Sequence, residues 1–128
     1  MDLTPSELFG HLVYADSFTY QELLATEEHL IEELDDLLVR AEAQHLEFNP
    51  SGDALLFQGE FTHYKLYIFR KLACELAQML PDKISGRLLF LSHDLEQSAF
   101  YWVQSKAWQE HRVQYPMQAP ANLKSWQG

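Results

Sequence analysis

Glu27, Glu75 and His93 have the residue types from which a metal site is built, because carboxylates and imidazoles converging from several helices hold transition metals. Glu27 stands out. Leu23, Leu24, Leu30, Ile31 and Leu34 surround it at three- and four-residue spacings, and a lone carboxylate in such a stripe is costly unless it is paired, protonated or bound to a cation. If the segments flanking a turn near Pro50 run antiparallel, residues whose numbers sum to about 100 lie level. Glu27 then faces Ala73 to Glu75, with Glu7, His11, His93 and Glu96 within a few turns. The expected reading is a structural ion pair of Glu27 with Lys71 or Lys65 and no cofactor. The alternative is an iron, manganese or zinc site on Glu27, Glu75 and His93.

A second set of residues points to binding. Glu28, Glu32 and Asp35 belong to an acidic strip in which Glu28 and Glu32, and Glu32 and Asp36, stand four residues apart. Like charges at that spacing repel on a helix, so the strip is expected to be neutralised by Lys65, Arg70 and Lys71 or to dock a basic protein. Phe90, Tyr101 and Trp108 recur on what would be one face of a later helix, opposite its main apolar stripe, and a second apolar face implies a second contact. The expected contacts are a protein partner and homodimerisation.

Other motifs carry less. Glu42-Ala43-Gln44-His45 and Glu60-Phe61-Thr62-His63 share the Glu-x-x-His spelling of ferritin-like di-iron proteins, but they flank one tight turn, whereas that family needs them deep in a bundle. Cys74, the single cysteine, has only Arg70 and Lys71 nearby in sequence to activate it and is read as structural. There is no glycine-rich phosphate loop, no Gly-x-Ser-x-Gly, no His-Glu-x-x-His and no zinc-ligand spacing.

The elements that would position these residues read as helices. Thr4-Pro5-Ser6-Glu7 has an N-cap hydroxyl, a proline at the first helical position and a returning glutamate, predicting a short helix from Pro5 to about Tyr14. Thr19-Tyr20-Gln21-Glu22 repeats that grammar before Leu23, Leu24, Leu30, Ile31, Leu34, Leu37, Leu38 and Ala41, predicting a long helix to about residues 44–46. Asn49-Pro50-Ser51-Gly52-Asp53 is a turn. A third helix is predicted from the stripe Phe57, Phe61, Tyr64, Ile68, Leu72, Leu76 and Met79, ended by Pro81. A fourth follows from Ile84, Leu88, Leu91, Leu95, Ala99, Trp102 and Val103, reaching roughly Arg112.

The predicted fold is therefore all-α, an up-and-down bundle of one short and three long helices in a single domain over residues 1–115, with an irregular, proline-containing tail over 116–128. A small β-hairpin around residues 46–58 is the variant, because apolar runs flank the turn there.

Charge bounds the function. The first sixty residues hold fourteen acids and one base, Arg40, whereas the remaining sixty-eight hold five acids and eight bases, for a net charge of -10. That balance, with scattered bases, argues against nucleic-acid binding. No apolar run reaches the ~20 residues of a membrane helix. The seventeen aromatic residues can supply a core. The expectation is a cytoplasmic, non-enzymatic module of the adaptor, inhibitor or immunity kind, with a metal-binding bundle as the alternative.

Overall fold

A computed structural model describes residues 4–114 and shows a mostly-β protein. Its elements, in chain order, are β1 (Ser6–Tyr14), α1 (Tyr20–Arg40), β2 (Gln44–Pro50), β3 (Ala54–Phe61), α2 (Leu66–Met79), β4 (Ile84–Ser92), β5 (Gln97–Gln104) and β6 (Ala107–Gln114). The strands form one six-stranded sheet in the order β2-β3-β1-β4-β5-β6, antiparallel at every pairing. The all-α bundle is thus corrected: two of the expected helices are strands, and a third is helical only in its second half. The expected tail over 116–128 lies outside the described residues.

α1 starts where its capping signal places it. The Thr19 hydroxyl accepts from the Glu22 amide at 3.2 Å, and Leu30, Leu34, Leu37 and Leu38 make the buried stripe. It stops at Arg40 because Glu42 adopts φ 68°. The amides of Glu42 and Ala43 then fold back onto the carbonyls of Val39 and Leu38 at 2.9 and 3.0 Å, a Schellman-type end built without glycine. The turn at Ser51–Asp53 joins β2 to β3, with Gly52 at φ 82°, so residues 46–58 lie in a hairpin within the larger sheet. α2 begins at Leu66, and the segment before it is β3.

The short first helix fails because residues 6–14 bury every second side chain: Ser6, Leu8, Gly10, Leu12 and Tyr14 face inward. Gly10 has a packing reason. A β-carbon there would fall on the ring of Phe57, its cross-strand neighbour on β3. The expected fourth helix fails for the same reason, since Ile84, Leu88, Phe90 and Ser92 of β4 and Ala99, Tyr101 and Val103 of β5 alternate inward.

Both helices cover the same side of the sheet. Phe69 of α2 stacks on Phe90 of β4 at 4.0 Å between ring centroids and meets Phe61 and Tyr64 edge-on. On the α1 side, Tyr14 of β1 reaches up to Glu27. β6 is locked to α2 by Glu110, which accepts from Arg70 Nε at 2.7 Å and Nη2 at 3.1 Å and from the buried Tyr101 hydroxyl at 2.7 Å. The other side of the sheet carries no helix among the described residues.

Candidate functional site

In an antiparallel sheet covered on one side, the second side ordinarily carries polar residues to water. Here it does not. The outward positions of β1 hold Phe9 and Val13, each 40% exposed, those of β3 hold Leu56 at 43%, and those of β5 hold Trp102 at 52%. Leu89 and Leu91 of β4 and Phe100 of β5 are half-buried between them.

Strand register turns these residues into rows. Leu56 of β3 stands beside His11, His11 beside Arg87, and Arg87 beside Trp102. In the next row Gln58, Phe9, Leu89, Phe100 and His111 are neighbours in turn. Phe9, Leu89 and Phe100 thus make an apolar run across three strands, with Leu56 and Trp102 at the two ends of the row beside it, a patch set among polar neighbours rather than scattered single side chains.

Arg87 is fixed within this face. Its Nη2 donates to His11 Nδ1 at 2.9 Å, and its guanidinium carbon lies 5.7 Å from the centre of the Trp102 ring, within cation–π range. Trp102 in turn meets Phe100 edge-on at 5.1 Å. A half-held guanidinium over a tryptophan ring resembles the anchor composition of protein interfaces, where Arg, Trp and Tyr dominate. At the end of the sheet where β5 turns into β6, Val13, Arg87, Trp102, Gln104, Trp108 and Gln109 line a groove of about 720 Å³.

The residues expected from sequence to form sites lie apart from this face or from one another. Phe90 and Tyr101 are fully buried under α2 and have no surface to offer a partner. Trp108 is 40% exposed at the groove, although its register partner Val103 points inward. Glu28, Glu32 and Asp35 are exposed on α1, on the helical side of the molecule, so the acidic strip and the apolar face are on opposite sides. Two of the three bases expected to neutralise that strip are engaged elsewhere: Arg70 with Glu110, and Lys71 with Glu75 at 3.9 Å.

The three expected metal ligands are dispersed. Glu27 accepts from the Tyr14 hydroxyl at 2.7 Å, Glu75 lies beside Lys71 on α2, and His93 at the β4–β5 turn lies 3.3 Å from Glu7. Among the described residues no group of three or more His, Cys, Asp or Glu is placed to hold a metal ion. The hydroxyl that satisfies Glu27 belongs to a tyrosine only thirteen positions earlier, yet the ion-pair reading looked for a lysine across a helix bundle. Burial and the Glu27 carboxylate together push the Tyr14 hydroxyl far above its ordinary range, so it stays a donor.

Sequence reasoning singled out none of Phe9, His11 with Arg87, Leu56 or Leu89 as a surface. The signal was there in Arg87-Leu88-Leu89-Phe90-Leu91, an apolar run that fits a strand with two apolar faces as well as it fits a helix. No helix among the described residues is long and apolar enough to cross a membrane. No family model, no curated protein and no solved structure matches this chain.

Proposed function

We propose that this chain works by contact, as a non-enzymatic protein–protein interaction module whose docking surface is the open face of the sheet. The observation that carries the reading is the row Leu56, His11, Arg87 and Trp102 with Phe9, Leu89 and Phe100 beside it, all on the side of the sheet away from the helices. Burying such a surface stabilises a complex by about 25 cal/mol for each Å² of apolar area before the costs of association. Arg87 is held by His11 and Trp102 with part of its donor set unused, and it supplies direction within an otherwise oily contact.

The acidic strip on α1 has a separate part. It lies on the far side, where Glu28, Glu32 and Asp35 keep that surface hydrated and repel other acidic molecules, and it steers a basic partner only through long-range attraction. A photo-crosslinking residue placed at position 102, compared with one at the exposed Leu24 of α1, tests the assignment. Protein adducts should form from position 102 and be absent from position 24. Equal capture from both positions, or none from 102, refutes the reading.

A further inference from the structure

Building on the open face as the docking surface, we propose that its occupant is a second copy of this chain, packed sheet against sheet. Area is the first argument. Six strands spaced at about 4.8 Å, each about eight residues long at 3.3 Å per residue, make a face of roughly 750 Å². A stable complex buries about 800 Å² on each partner.

Charge is the second. The acids of the open face, Glu7, Glu47 and Glu60, all stand on β1, β2 and β3, whereas the outward positions of β4, β5 and β6 carry Arg87 and His111 and no acid. A two-fold axis running along the strands between β1 and β4 lays β1 over β4 of the second copy, β3 over β5 and β2 over β6. The acid–base pair this axis forms is Glu47 with His111 of the second copy, made twice, as an isologous interface requires, while Glu7 and Glu60 stand in the end row over Leu91 and Ser98 and keep His93 and His45 of their own copy beside them.

Register is the third. That axis preserves the rows, so Leu56 faces Trp102 of the second copy and Phe9 faces Leu89, while Glu47, level with Gln58 and hydrogen-bonded to it at 2.7 Å, faces His111. Stacked sheets lie about 10 Å apart, and the acidic helices end up on the two outer sides of the sandwich. They are separated by more than the ~8 Å Debye length of physiological salt, so the repulsion between the two acidic helices is largely screened.

Sedimentation velocity and light scattering of the full chain across a concentration series test the proposal. The expected species has twice the 14.9 kDa chain mass. Trp102→Glu and Leu56→Glu, both at side chains already exposed in the single chain, should each weaken self-association by at least about tenfold without loss of the folded circular-dichroism spectrum. His111→Glu should weaken it as well, and Glu47→Lys added to His111→Glu should restore it. A dimer unchanged by both Trp102→Glu and Leu56→Glu overturns the proposal, as does a monomer at every concentration. A monomer whose position-102 crosslinker still captures another polypeptide leaves the docking surface standing and removes only the second copy. A monomer that captures nothing removes both.

Discussion

Tyr101→Phe and Glu110→Ala act on the same hydrogen bond from opposite ends, and the structure predicts that they are far from equivalent. The Tyr101 hydroxyl is fully buried and donates to Glu110 Oε2 at 2.7 Å. Burial, then Glu110, push that hydroxyl far above its ordinary range, so it remains a donor at every usable pH. Removing the hydroxyl leaves Glu110 with Arg70 and with Arg112 at 3.4 Å. Its carboxylate is also 19% exposed and can take up water. The loss is one hydrogen bond to a charged acceptor, partly offset by burying a ring without a polar atom, about 1 kcal/mol.

Glu110→Ala strands the hydroxyl instead. An unsatisfied buried donor costs about 1–3 kcal/mol, and the lost clamp between β6 and α2 adds to that. The double variant has no donor left to strand, so it should be less destabilised than the sum of the two single changes by about 1–2 kcal/mol. Urea unfolding followed by circular dichroism measures all three, with roughly 3–5 °C of melting temperature per kcal/mol at this chain length.

The same clamp sets an acid limb. The Arg70 guanidinium first, with the Tyr101 hydroxyl and Arg112, holds the Glu110 carboxyl below the ordinary carboxylate range. Its folded value lies below its unfolded one, so its stabilisation is complete above the unfolded value of about 4.3 and is lost as pH falls through the lowered folded value. The deficit of Glu110→Gln relative to the parent should accordingly be largest near neutrality and shrink below about pH 4. Additive energies in the double-mutant cycle, or a Tyr101→Phe cost equal to that of Glu110→Ala, would refute the reasoning.

Two further changes probe the fold. Gly10→Ala places a methyl group on the buried Phe57 ring, which also stacks on Phe48, and should cost at least about 1–3 kcal/mol in denaturant unfolding through overpacking; a neutral result would mean that β1 and β3 separate freely there. Glu42→Gly relieves a left-handed residue at φ 68° and should raise stability by about 0.5–1 kcal/mol, so a fall in melting temperature would show that the Glu42 side chain matters more than its backbone strain.

In the first half α1 and the reversal after it were legible from local signals. The capping residues at Thr19 and the leucine periodicity locate α1, and Asn49 to Asp53 locates the reversal between β2 and β3. Pro81 marks the end of α2, where Leu80 is its C-cap. In the second half those signals are missing. The β4–β5 and β5–β6 turns place Leu95 at φ 62° and Lys106 at φ 63°, positions where a sequence ordinarily shows glycine or asparagine. Both turns are held from outside or by side chains: Ser92 Oγ donates to Asp94 Oδ1 at 2.6 Å and accepts from the Gln97 amide at 3.0 Å, and the Lys106 amide reaches the Ala77 carbonyl of α2 at 2.8 Å.

What the sequence alone determined was the charge imbalance, the acidic outer face of α1 and the oddity of Glu27, because these depend on residue identity and on helix geometry over a few turns. The tertiary structure decided what they mean. Glu27 meets the Tyr14 hydroxyl because β1 brings that residue under α1, a contact between different kinds of element that no helical spacing encodes. The open face stayed hidden for a related reason. Strand alternation is visible when one face is polar, but β4 and β5 also place Leu89, Leu91, Phe100 and Trp102 outward, and their sequences therefore read as helix until strand pairing separates inward from outward. The feature that conceals the strands from the sequence is thus the feature on which the proposed docking surface rests.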